Sequence, residues 1–261
     1  MNGEMRMSGR YYREIPYTVD RDGGPRLEIF LPEEGEGPFP VVVCPQAEEK
    51  EISFAAVLLE DGYAVAKVRC TPFAQRRLPA QMMQCRAAIR FLRAHSQAFA
   101  LDREHVLLLG EGKEAYLAAM VALTMGSAEF DDLSLGYPNE PDSVQAAVLM
   151  DGVYDLRAFR AQDPAGAAEL FEKLFGSREP EEALLSRMSP LSWAGHDAPP
   201  VCLFCHERAD GALLEQMEQM KNALREKIGE RVYSAVLREG GRKEWYAGFA
   251  GVYGFLAQWL P

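Results

Sequence analysis

The sequence predicts an α/β protein, with a mostly parallel central sheet covered by helices on both faces. Three observations carry that expectation. Short apolar runs alternate with amphipathic stretches almost from end to end, the strand-then-helix repetition that builds such sheets. The chain has 261 residues, enough to bury a sizeable core. It shows no repeat period, low-complexity tract or obvious linker, so one domain spanning 1–261 is expected.

Taken in order, "YREIPYTV" and "PRLEIFLP" read as two early strands separated by the turn "DRDGG". "FPVVVC" is a buried strand, followed by the helix "ISFAAVLLEDG", which Gly62 closes. "YAVAKVRC" is the next strand, and "LPAQMMQCRAAIRFLRAHSQAF" one long helix after it. "HVLLLG" and "KEAYLAAMVALTMG" form the following strand and helix. "VQAAVLMDG" and "PPVCLFCH" are further strands, with a polar, Pro-marked insert between them. The insert, about 153–195, carries apolar residues at helical spacing and is expected to cap the sheet edge, its stripe serving packing rather than a partner. "ALLEQMEQMKNALREKIG" is an amphipathic helix, "RVYSAVLRE" a last strand and "EWYAGFAGVYGFLAQWL" a closing helix.

Bulk chemistry narrows the function. The net charge of −11 argues against a nucleic-acid or anionic-membrane surface, since both need clustered Lys and Arg. No apolar run is long enough to span a bilayer, and "MNGEMRMSGR" lacks the apolar core of a secretory leader. A cytoplasmic protein is expected. The five cysteines (Cys44, Cys70, Cys85, Cys202, Cys205) lie inside apolar segments, which suits reduced, buried thiols. Cys202 and Cys205 spell C-x-x-C, but on a strand rather than at the helix N-terminus that would stabilise a thiolate. No second Cys/His pair has zinc-ligand spacing, and no cofactor is implied.

In such a sheet, ligands sit at the carboxyl ends of the strands. The loops to question are therefore 45–51, 70–77, 110–114, 151–155, 205–211 and 239–245. The glycine corner "LGEGKEA" admits three readings. A phosphate loop fails, because Gly112-Lys113 is followed by Glu114 instead of Ser or Thr, and Leu107 stands where the first glycine belongs. A dinucleotide turn matches G-x-G-x-x-A at Gly110, Gly112 and Ala115, yet it falls on a middle strand and the next strand ends much too late, at Asp151. The third is the nucleophile elbow, G-x-S-x-G, which projects a serine above the sheet.

From about residue 15 onward the chain resembles the esterase/lipase group of the α/β-hydrolase superfamily, particularly small carboxylesterases and acetyl-xylan-esterase-like proteins. "LEDGYAVAKVRCTPF" is similar to that group's strand and loop after its first helix. The long helix, "D-x-x-x-V" link and elbow strand resemble "LPAQMMQCRAAIRFLRAHSQAFALDREHVLLLGEG". "SPLSWAGHDAPPVCLFCHERAD" resembles the passage "SP…APP…HGxxD" that delivers the triad acid, and "LREGG" falls where the group places its histidine.

Carried over residue by residue, the resemblance fails at the chemistry. The serine position holds Gly112, and the final small residue of the elbow is Glu114. Glycine offers no nucleophile, so no acyl-enzyme forms through it. The oxyanion loop, normally glycine-rich, reads "PQAEEKE", with Gln46, Ala47, Glu48 and Glu49 where backbone N–H groups should meet developing negative charge. The triad acid keeps its position as Asp210, but the base position holds Lys243 or Arg242. All four histidines (His95, His105, His196, His206) precede that loop; His206 alone lies near a strand exit, where a structural role is expected. Cys44 and Cys70, at strand exits, are expected to be inert buried thiols. Turn formation and helix capping account for Asp151 and Asp155.

The altered loops share Lys beside Glu. Lys50, Lys113 and Lys243 could pair with Glu48, Glu114 or Glu244 and plug the former pocket, or all could be independent solvated charges. The expectation is a non-catalytic homologue binding an unidentified small molecule or protein. The alternatives are an atypical ester hydrolase with a reassigned nucleophile, such as a water activated by Asp210 or Glu114, and a nucleotide-binding protein using Gly110–Ala115.

Overall fold

A computed structural model describes residues 10–20, 22–46, 55–209, 211–237, 254, 255 and 257. Its eight-stranded sheet runs in the order β1-β2-β4-β3-β5-β6-β7-β8. The strands are β1 (Tyr11–Pro16), β2 (Arg26–Phe30), β3 (Phe39–Gln46), β4 (Ala64–Arg69), β5 (Leu101–Glu111), β6 (Ala146–Met150), β7 (Val201–His206) and β8 (Val232–Leu237). β2 pairs antiparallel with β1 and β4; every other pairing is parallel. The order of strands and helices predicts the mostly parallel sheet, and the α/β-hydrolase fold is the one that the family resemblance implies.

Side chains of successive strand residues point to opposite faces, and the sheet divides the apolar core accordingly. Val41, Val43 and Leu108 join the larger core, with helices α2 (Ala80–Ala94), α3 (Lys113–Leu123) and α7 (Gly211–Ile228). Val42, Cys44, Leu107 and Leu109 join the smaller one, against α1 (Ala55–Glu60) and Phe255. Cys202 belongs to the second core and Cys205 to the first, so the two thiols of C-x-x-C lie on opposite faces of the sheet. All five cysteines are free and buried.

The predicted long helix is divided. α2 ends at Ala94, His95 caps it, and Ser96–Phe99 form a 3-10 turn closed by left-handed Ala100. An aromatic cluster accompanies the break: His95 stacks on Phe91 at 4.3 Å and meets Tyr137 edge-on at 5.0 Å. β5 consequently starts earlier than "HVLLLG" suggests, because Leu101 already pairs with Phe39.

Charge is also buried beneath this face of the sheet's helices. Arg86, Arg90 and Arg93 share one face of α2, yet all are buried. The loop after α3 wraps over them. Arg86 donates to the carbonyls of Thr124 and Ser127 and faces Asp142 at 3.3 Å. Arg90 pairs with Asp131 at 2.6 Å and donates to the carbonyls of Asp132 and Gly136. Arg93 donates to the Ser143 carbonyl at 2.6 Å. Three guanidiniums thus satisfy loop carbonyls that would otherwise need water.

The insert forms α4 (Leu156–Gln162), α5 (Pro164–Phe175) and α6 (Glu182–Arg187). Asp155 caps α4 by accepting from the N–H groups of Arg157 and Ala158, as expected. Phe171, Leu174 and Leu185 enter the larger core, so the apolar stripe of the insert is packing. Among the described residues no helix is long and apolar enough to cross a membrane.

Candidate functional site

The carboxyl ends of β5, β6 and β7 meet at the glycine corner. Gly112 stands between β5 and α3 at φ 63° and ψ −119°. Its N–H donates to the Met150 carbonyl at 2.8 Å, and its carbonyl accepts from Tyr116. The turn from β5 into α3 is therefore sharp, with glycine at its apex. Because Met150 engages the Gly112 N–H, that group is not aimed at a phosphate, which weakens the nucleotide reading.

The two glycines do different work. A Cβ on Gly110 would lie 2.2 Å from the Glu114 carbonyl oxygen, so β5 and α3 approach as closely as they do only without one. A Cβ on Gly112 would meet no described atom within 4 Å, and only the left-handed φ opposes it. Gly110→Ala is therefore expected to cost roughly 3 kcal/mol, at the upper end of overpacking, and Gly112→Ala roughly 1–2 kcal/mol of backbone strain. Urea unfolding of both variants checks the ranking, and equal losses would contradict it.

Beside Gly112, the end of β6 is tied to the end of β7. Asp151 Oδ1 accepts from the His206 backbone N–H at 2.9 Å, and Oδ2 pairs with His206 Nδ1. The Asp151 N–H donates to the Phe204 carbonyl at 3.0 Å, and its φ of 50° is a left-handed conformation that aspartate tolerates. A turn role for Asp151 is thus incomplete: its carboxylate reaches across to the neighbouring strand and orients an imidazole. The pair joins residues 55 apart in sequence. Both sit at strand exits, the only signal that could have suggested it.

Several of the remaining described candidates are buried. Burial pushes the Cys44 thiol up to about 12. Cys70 rises to about 12 through burial, with the nearby Glu114 charge adding to it against a Tyr17 hydrogen bond. Thiolate is therefore scarce at neutral pH, and neither cysteine is poised as a nucleophile. Glu114 is 6% exposed in the first turn of α3, so it is not a solvated charge. Lys113 is half-buried beside it, and Gln46 ends β3 with 7% exposure. Ala47, Glu48, Glu49, Lys50, Asp210, Arg242, Lys243 and Glu244 lie outside the described residues, and the charge plug with them. No cluster of three or more His, Cys, Asp or Glu suited to a metal occurs among the described residues.

The BD-FAE family model, an α/β-hydrolase-type esterase domain, matches residues 27–224, well over half of the chain. The chain belongs to the BD-FAE family. No curated protein matches the sequence. Among solved structures, the BD-FAE chain is similar to a truncated carbohydrate esterase from gut microbiota, at 20% identity and TM-score 0.80, over 98% of both chains. It is similar to a bifunctional GH43-CE protein of Bacteroides eggerthii at 23% identity and TM-score 0.79; the match covers 96% of this chain but only 38% of that one. Esterase B of Lactobacillus rhamnosis matches at 17% identity and TM-score 0.75, over 95% and 86% of the two chains. At these identities the likeness is one of fold. With the family match, it makes the chain an α/β-hydrolase-fold esterase homologue.

Proposed function

We propose that this BD-FAE homologue is a non-catalytic binding or regulatory protein, an esterase fold that has lost its serine-hydrolase groups. The observation carrying this reading is Gly112: the elbow keeps its turn geometry and presents no side chain at its apex. Supporting it, the sequence puts Gln46, Ala47, Glu48 and Glu49 at the oxyanion-loop position and Lys243 or Arg242 at the base position, leaving Asp210 as the retained acid. Acyl transfer needs a nucleophile, a base and a donor pair for the oxyanion. In this reading the chain is one domain, with 153–195 as its cap, and its free, buried thiols suit a cytoplasmic setting.

A second reading, an atypical ester hydrolase, is favoured by the Asp151–His206 pair, in which a carboxylate orients an imidazole as it would a general base. The two readings separate on incubation with short-chain nitrophenyl esters and a fluorophosphonate. The non-catalytic reading expects hydrolysis at the buffer rate and no covalent adduct. Turnover well above buffer that Asp210→Asn or His206→Gln abolishes would establish the hydrolase instead.

A further inference from the structure

The two edges of the sheet are built differently. At one edge, β1 carries Arg13 and Glu14, shifts register between Tyr12 and Ile15, and ends on Pro16. Charge, bulge and proline are the devices that keep an edge strand from pairing with a neighbour. At the other edge β8 has none of them: it reads VYSAVL and keeps its register with β7 from Val232 to Leu237. Among the described residues β8 pairs with β7 alone. The Glu207 N–H donates to the Leu237 carbonyl, so residues 233, 235 and 237 turn their backbone groups toward β7. Ser234 and Val236 therefore turn theirs outward. Phe255 does not cover this edge; it lies in the smaller core beside Tyr233, on a face of the sheet.

Helix α7 extends the same surface. It packs on β7 and β8, and Gln216 reaches inward to accept from the N–H groups of Tyr154 and Asp155 at the exit of β6. Residues two positions apart lie on nearly opposite sides of a helix, so Leu214 and Glu218 face away from β6, toward the outer edge. Lys221 and Arg225 continue that flank at three- and four-residue steps. Val236 is 48% and Leu214 40% exposed, so two of the four large apolar side chains exposed among the described residues mark this edge.

We infer that β8 pairs antiparallel with β8 of a second copy of this chain, joining two sheets into one about a two-fold axis. Self-complementarity identifies the partner as another copy. β8 contributes no charge, which suits the association of chains that each carry −11. On the α7 flank, a two-fold alignment centred midway sets Glu218 of one copy toward Lys221 of the other, and Leu214 toward the apolar stem of Arg225. The helix flank is needed, because a six-residue strand buries too little for a stable interface of about 800 Å² per partner. Since β1 is blunted, the pairing closes at two copies and does not propagate into a filament. The inference is independent of the non-catalytic reading, and neither ester hydrolysis nor fluorophosphonate labelling bears on it.

The test is sedimentation equilibrium of the full chain over about 1–100 µM. A dimer of twice 29.1 kDa is expected, with a Kd below about 10 µM. Hydrogen exchange should slow at Ser234 and Val236 as concentration rises, with the β1 amides unchanged. Val236→Lys brings two ammonium groups together near the axis and should raise Kd at least about tenfold. Lys221→Glu should raise it about threefold, and adding Glu218→Lys should restore it, because the double exchange keeps opposite charges facing across the axis. A monomer at about 100 µM would leave the edge to a different protein and overturn the inference. So would a Kd unmoved by Val236→Lys with native circular dichroism, protection confined to other segments, or no recovery in the double exchange. Should Val236→Lys not fold, the exchange of Lys221 and Glu218 decides it.

Discussion

A chain carrying Gly112→Ser, Lys243→His and a glycine-rich 46–49 loop is expected to gain stoichiometric fluorophosphonate labelling. Its nitrophenyl-ester turnover should rise at least about 100-fold above the starting protein, the lower end of what general base catalysis supplies. The expectation follows from the turn at Gly112. Gly112 already has the φ and ψ of a sharp strand-to-helix turn, and no described atom within 4 Å obstructs a Cβ there. The serine must tolerate a left-handed φ at a cost of about 1–3 kcal/mol, which a folded domain can absorb. Gly112→Ser alone should label poorly, because a hydroxyl without a base is a weak nucleophile. Full labelling of that single variant would mean that an imidazole already serves the site, with the Asp151-oriented His206 as the one to replace next. No gain in the complete set would show that the scaffold itself has moved away from hydrolysis.

The second large effect concerns stability. Arg90→Ala is expected to cost about 3–5 kcal/mol, measured as a shift of the urea midpoint, because it removes the buried guanidinium that serves the half-buried Asp131 and two loop carbonyls. Arg90→Lys should recover only part of this, since an ammonium lacks the fork that reaches Asp131, Asp132 and Gly136 together. A loss below about 1 kcal/mol for Arg90→Ala would show that the loop finds other partners or water.

The fold was legible because its strands are short apolar runs set between helical patterns, and "HVLLLGEG" marks the central turn without tertiary information. The absence of serine at 112 could be read directly. Other features needed the third dimension. Arg86, Arg90 and Arg93 lie at helical spacing, and only the loop folded over α2 makes them interior groups. Asp151 and His206 join across a strand boundary that no local pattern spans. The pairing of Gln46 with Arg69 depends on β4 lying between β2 and β3, out of sequence order. Glu114 is buried in the first turn of α3, a placement that the sequence left open between a paired charge and a solvated one.

The placement of Cys202 and Cys205 on opposite faces of β7 supplies an internal reporter. When one layer of helices lifts away while the other stays docked, a single thiol becomes open to alkylation and its neighbour three residues along stays shielded. Mass spectrometry of one short peptide spanning both positions therefore distinguishes concerted melting from peeling of either side.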